Sequence, residues 1–302
     1  MRAATQGRAV PKGRGRVVVV AAHGGLSLVQ AFVLAVLQGF TELFPFSSLG
    51  FQVIVPRLLH WGLDQSSPQF LAFVVTLHLG TAFGLLVYFW RDWVRLLVAL
   101  WRSLVQGFDR VRTDPDQKTI WLLIAGTVPA GLVGLAFRHP LGHLFAAPRL
   151  AAAMLLVNAG IMWFGERLIR HRDEGIPKMR FLQSAGIGVA QILALIPGLS
   201  RSGVTMVGGL AVGLGYETAA RFSFLLATPI IGAAALLEVH KLKAGGHGLL
   251  VPAAVGFVAA AVVAYLSARY LMRYFRTRRL APLAAISAAA GLVFTILLAL
   301  GA

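Results

Sequence analysis

Gln38-Gly-Phe-Thr-Glu-Leu-Phe-Pro-Phe-Ser-Ser-Leu-Gly50 breaks the middle of an apolar stretch that runs from Leu26 to Leu59. A second stretch, Phe181–Gly215, is broken in the same way by Gln191-Ile-Leu-Ala-Leu-Ile-Pro-Gly-Leu-Ser-Arg-Ser-Gly203. In each, a proline ends one helix, and serines with a glycine follow where the next helix opens. Each stretch therefore reads as a re-entrant helical hairpin, one over 26–59 and the other over 181–215. Pro45 and Pro197 lie roughly half the chain apart, which predicts a duplicated unit. Broken apolar segments at matching places in two halves point to a binding site near the membrane midplane.

Outward from the hairpins the chain is membrane material. Of its 302 residues 58% are hydrophobic and 13% charged, and the mean hydropathy of +0.76 is too high for a soluble domain. Six apolar blocks approach the length of about 20 residues that spans a bilayer. They are Phe70–Trp90, Ile120–Phe137, Leu150–Phe164, Phe222–Leu237, Leu249–Leu266 and Leu280–Leu300. The predicted fold is an all-α polytopic membrane protein with two halves, 26–148 and 149–302, each a hairpin plus three spans. Residues 1–25 precede them as a basic, Gly-rich, flexible arm containing the apolar run Val17–Ala22.

The connectors alternate in basicity. The first holds Arg91, Arg95, Arg102, Arg110, Arg112 and Lys118, and the third Arg167, Arg170, Arg172, Lys178 and Arg180. The fifth holds Arg269, Arg273, Arg276, Arg278 and Arg279. Between them, the second, around His139–Pro148, has Arg138 and Arg149 only at its edges, and the fourth has only Lys241 and Lys243. By the positive-inside rule the odd connectors are cytoplasmic and the C-terminus is outside. Three spans per half invert the second half relative to the first, so the hairpins enter from opposite sides. The basic arm (Arg2, Arg8, Lys12, Arg14, Arg16) then falls outside, against the rule. The formal charge of +17 sits at block ends rather than along one face, which excludes a nucleic-acid binder. With no cysteine, thiolate chemistry and Cys-based metal sites are excluded too.

Glu42 is embedded in an apolar run, where a charge costs about 2.5–3.5 kcal/mol, so it must face a partner or a polar cavity. Gln38, four residues earlier, shares its helical face. Arg201 is the second intramembrane charge and stands among Ser200, Ser202 and Gly203. A planar guanidinium next to hydroxyls and a glycine suits phosphate oxygens. Helix starts near Ser47–Ser48 and Ser200–Ser202 would offer N–H groups to the same anion. Gln191 takes in the second stretch the place that Gln38 takes in the first. The pair Asp114 and Asp116 lies in a basic connector and reads as solvated loop.

The stretches 38–50 and 197–203 resemble the two signature motifs of the undecaprenyl-diphosphate phosphatase (bacitracin-resistance) family. The resemblance extends to Phe89-Trp90-Arg91 and to Ala220-Arg-Phe-Ser-Phe-Leu-Leu-Ala-Thr-Pro229, and covers most of the chain from Leu26 onward. It implies a bacterial inner-membrane hydrolase with an inverted-repeat fold. Such an enzyme converts undecaprenyl diphosphate to the monophosphate, recycling the cell-wall lipid carrier, through a site open to the extracytoplasmic side. It also implies a divalent cation, Mg²⁺ or Ca²⁺, held mainly by Glu42 and the substrate's phosphates, and it allows a homodimer. By position, Ser48 matches the proposed nucleophile, Glu42 the motif glutamate and Arg201 the phosphate-binding arginine. Gln38, Ser47, Gln191, Ser200, Ser202, Gly203 and Thr205 take substrate-binding places.

One position departs. The first motif normally continues into a histidine, and this sequence has Phe51. A substitute group, low activity, or a polyprenyl-phosphate transporter or scramblase that has lost hydrolysis would each follow. His78, inside the first span, is the candidate substitute; His60 lies near the hairpin end.

Overall fold

The computed structural model describes residues 26–137, 147–168, 175–238 and 247–300, all helices and short connections, with no strand among them. The arm 1–25 lies outside the described residues, as do Arg138, Arg170, Arg172, Lys241 and Lys243.

Six helices are long and apolar enough to cross a membrane. They are α3 (Pro68–Tyr88), α5 (Pro115–Ala136), α6 (Pro148–Gly165), α9 (Tyr216–Glu238), α10 (His247–Tyr274) and α11 (Ala281–Ala299). Each contains one of the six predicted apolar blocks, whole or nearly so. The two broken stretches fold as pairs of short helices. α1 (Leu28–Thr41) and α2 (Ser48–Leu58) form the first pair; α7 (Phe181–Gln191) and α8 (Arg201–Ala211) form the second. At about 1.5 Å per residue the 14 residues of α1 reach about 21 Å and the 11 of the other three about 16 Å, short of a hydrocarbon core of about 30 Å. α1 starts with a capping box in which Ser27 and Gln30 exchange side-chain to backbone hydrogen bonds.

Small residues let the helices meet at their backbones, as apolar surface alone cannot drive association in lipid. A Cβ on Gly80 or Gly84 of α3 would run into the carbonyls of Phe257 or Ala261 of α10, and one on Gly39 of α1 would stand 2.6 Å from the Ala260 carbonyl. α10 thus carries a seam of alanines against which α1 and α3 both close. α7 seats on α5 by the same means at Gly188 and Gly126, beside a 2.6 Å bond from Ser184 Oγ to the Leu122 carbonyl.

The first connector is not merely a loop. A seventeen-residue helix, α4 (Trp90–Gln106), follows α3 after a bend at Phe89. It has three sides: Trp93, Leu96 and Ser103 turn inward, Trp90, Leu97 and Trp101 are exposed and apolar, and Arg91, Arg95 and Arg102 form an exposed basic row. That third side broke the apolar periodicity by which the spans were recognised. Asp114, expected in solvated loop, instead caps α5 by accepting from the Asp116 and Gln117 N–H groups at 2.9 and 3.2 Å.

Candidate active site

The hairpin tips meet. Pro45 and Pro197 end the incoming segments, and α2 and α8 start with the same cap: Ser47 Oγ accepts from Gly50 N at 3.1 Å and Ser200 Oγ from Gly203 N at 3.2 Å. Ser48 and Arg201 are therefore the first helical residues at equivalent points of the two tips. Ser47 Oγ also accepts from Gly198 N of the other tip, at 2.9 Å. Gly198 has φ +101°, and a Cβ there would strike the Ala151 carbonyl, so this crossing needs glycine twice over.

Asn158 of α6 holds the tips together from behind. Its Nδ2 donates to the Pro45 carbonyl at 2.9 Å and to Ser287 Oγ of α11 at 3.1 Å, while its Oδ1 accepts from Ser200 N at 3.0 Å. The motif reading missed this residue, although it is the one polar side chain in the block Leu150–Phe164 and so carried a visible signal.

Between the tips lies the buried charge. Glu42 caps the end of α1, its side chain 8% exposed. Arg201 Nη2 donates to its Oε1 at 2.9 Å, and Ser48 Oγ and Gln38 Nε2 donate to its Oε2 at 2.5 and 3.1 Å. Arg201 Nη1 reaches the Ser223 carbonyl at 3.3 Å. The pair formed by Glu42 and Arg201 answers the cost of two charges in the membrane, since each is both neutralised and hydrogen-bonded. His78 of α3 completes the ring. Its Nε2 lies 3.7 Å from Glu42 Oε2, and its Nδ1 donates to the Val74 carbonyl at 2.8 Å, which fixes the imidazole.

These groups floor a cavity of about 380 Å³. Glu42, Ser47, Ser48, His78, Gln191, Ser200 and Arg201 line it, together with Gln52, which sequence reasoning missed. Its walls are apolar and run toward the start of α3 (Phe70, Leu71, Val74) and the far end of α9 (Ile230, Ile231, Ala234). Four lining atoms are buried without a partner: both amide atoms of Gln191, Gln52 Oε1 and Arg201 Nε. Buried polar groups are rarely left unsatisfied, so these four atoms are hydrogen-bonding capacity that the protein's own side chains do not use.

Gln38, Ser202, Gly203 and Thr205, expected to touch substrate, stand one layer behind the wall. Gln38 joins Glu42 to the Gln52 amide. Ser202 Oγ bonds to Ser200 Oγ and the Phe44 carbonyl, and Thr205 Oγ1 to the Arg201 carbonyl and Ser223 Oγ. The Gly203 N–H is taken by the Ser200 cap, so the glycine expected to let the backbone approach a phosphate is turned to the helix start instead. Phe51 does not line the cavity. Its ring packs edge-on against Phe294 of α11, centroids 5.3 Å apart. Asp114 caps α5 and Asp116 lies in its first turn, both away from the cavity lining, and His60 follows the end of α2 with φ +51°.

No group of three or more His, Cys, Asp or Glu suited to a metal occurs among the described residues. Glu42 is the single carboxylate at the cavity, and both its oxygens are engaged. Among the described residues, the side chains at the cavity offer a cation one carboxylate and no second one.

Residues 31–293 match the family described as Bacitracin resistance protein BacA. The chain is 48% identical over 281 residues to an undecaprenyl-diphosphatase of Acidiphilium cryptum, covering 90% of this chain and 98% of that one. It is 48% identical to undecaprenyl-diphosphatase 2 of Burkholderia thailandensis and 45% identical to an undecaprenyl-diphosphatase of Mycobacterium avium, each over 88% of this chain and 95% of the other. With this match over most of its length, the chain belongs to the bacitracin resistance protein BacA family.

Proposed function

We propose that the protein hydrolyses undecaprenyl diphosphate to undecaprenyl phosphate and inorganic phosphate in the bacterial inner membrane, from the extracytoplasmic side. The observation that carries this reading is the cavity. It joins an arginine, a carboxylate and a serine hydroxyl at one end to apolar walls that suit a polyprenyl tail. The relatives' names agree with it. The walls run toward the start of α3 and away from the arginine-rich connector at its end, which supports an extracytoplasmic mouth if that connector is cytoplasmic. Two halves in inverted orientation fit the matching tips.

Ser48 is placed to attack the terminal phosphorus. Its hydroxyl already donates to Glu42 at 2.5 Å, so the proton passes to that carboxylate as the P–O bond forms. The anhydride bond breaks, and the lipid monophosphate departs with the bridging oxygen. Water then cleaves the phosphoserine, releasing phosphate and returning the proton to Ser48. Arg201 exchanges Glu42 for phosphate oxygens as charge builds on them, and Gln191 offers its free amide to the same group. Glu42 is the residue that would hold a divalent cation together with the substrate's phosphates, and such an ion would supply charge neutralisation there. Phe51, which had opened a transport reading, lies outside the cavity and leaves that reading without its observation.

Phosphate release from farnesyl or undecaprenyl diphosphate by the purified protein tests the assignment. Glu42→Gln, Ser48→Ala and Arg201→Ala are each expected to lower turnover by about 10²–10³-fold or more with the fold retained. Wild-type turnover in any of them would overturn the site.

A further inference from the structure

α4 takes no part in the site and is too charged to count among the spans. Both its ends are held in the second turn of a span. Near its start, Asp92 accepts from Arg221 of α9 at 2.6 Å; near its end, Ser103 Oγ accepts from Trp121 Nε1 of α5 at 3.0 Å. Asp92 and Ser103 are about 16 Å apart along the helix. A helix strung between the starts of two spans runs along the membrane surface, not through it.

Its outward chemistry fits that depth. The apolar side carries two tryptophans, the aromatic type favoured at membrane interfaces. The adjoining side carries the arginine row, with Arg91 over the Trp90 ring at 5.4 Å. Past the helix, Arg110 and Arg112 are also exposed. Of these cations Arg95 alone has a carboxylate, Asp92; Arg91, Arg102, Arg110 and Arg112 have none among the described residues. Guanidinium groups at headgroup depth beside an acyl-facing side match phosphate in two-pronged geometry.

We infer that α4 and the turn after it bind the headgroups of anionic phospholipids in the leaflet on their own side of the membrane. The substrate cavity extends toward the opposite ends of α3 and α9, so its lipid does not compete for this surface. A second copy of the chain is the weaker occupant, because it would bring the same uncompensated arginines.

The test uses the full chain in detergent, mixed with equal amounts of phosphatidylglycerol and phosphatidylcholine and weighed intact by native mass spectrometry. Phosphatidylglycerol is expected to exceed phosphatidylcholine several-fold. Replacing Arg91, Arg102, Arg110 and Arg112 together by Gln should bring it to the phosphatidylcholine level, because the guanidinium charges that tell the two headgroups apart are then gone. Salt at about 1 M, where screening acts within about 3 Å, should do the same to wild type. The corresponding quadruple Lys variant should keep most of the bound phosphatidylglycerol, which separates loss of charge from loss of fold. Equal uptake of the two lipids by wild type would overturn the proposal. So would full retention in the Gln variant, or equal loss in the Lys and Gln variants.

Discussion

Phe51 and His78 stand on opposite sides of the cavity wall from what the motif alone would suggest for a histidine. Phe51 occupies the histidine's place in the sequence, yet α2 turns it toward α11 and away from the cavity, while His78 enters from α3 beside Glu42. Phe51→His is therefore expected to leave phosphate release within about threefold of wild type. It should lower the melting temperature, because an imidazole among Ile54, Leu155 and Phe294 loses about 1 kcal/mol or more. His78→Ala should lower turnover by about 10²-fold in the same assay, the low end of acid–base assistance. A large gain from Phe51→His would show that position 51 reaches the reacting atoms after all. Most of the site was legible in the sequence because a buried charge announces itself: Glu42 and Arg201 stood out against apolar surroundings, and the structure pairs them. What could not be read was rotation about a helix axis. Nothing in the sequence indicates that Gln38 faces Gln52 rather than the cavity, or that Phe51 faces Phe294 of α11.

At the scale of helices, span recognition succeeded because a long unbroken apolar run has little use in a chain except to cross a bilayer. α4 escaped it because a helix with a basic side, an apolar side and an inward side has too little continuous apolarity to register as a span. The spans themselves are fitted by glycine as much as by large side chains. Gly84→Val on α3 should lower the melting temperature by several degrees, since a side chain there meets the α10 backbone and overpacking costs about 1–3 kcal/mol. Gly186→Val on α7, where nothing lies within 4 Å, should leave it unchanged. Circular dichroism melts in detergent measure both. If both variants melt together, the seam on α10 is looser than its contacts indicate.

Over the whole molecule, the two tips and α3 of one chain bring Glu42, Arg201, Ser48 and His78 within contact of one another. Specific activity is therefore expected to be constant on dilution in detergent, whatever the assembly; a fall with dilution would mean that a second copy completes the site. Chelation of divalent cations should leave the melting temperature of the lipid-free protein unchanged, because its described side chains include no group of three or more His, Cys, Asp or Glu suited to such an ion. The duplicated tips were visible as repeated sequence, whereas their cross-links, from Ser47 to Gly198 and through Asn158, depend on how the halves dock and left no pattern of their own. The pairing of Glu42 with Arg201 has a further consequence for the chain as it is made. The two residues are 159 positions apart. At about 5–20 residues per second, the ribosome delivers the arginine about 8–30 s after the glutamate. Through that interval the nascent first half carries an unmatched carboxylate in the bilayer, and neither half alone holds both the hydroxyl and the guanidinium. On the proposed assignment the chain stays inert during its own synthesis, and arrival of the second tip both gives the carboxylate its counter-charge and completes the catalytic set.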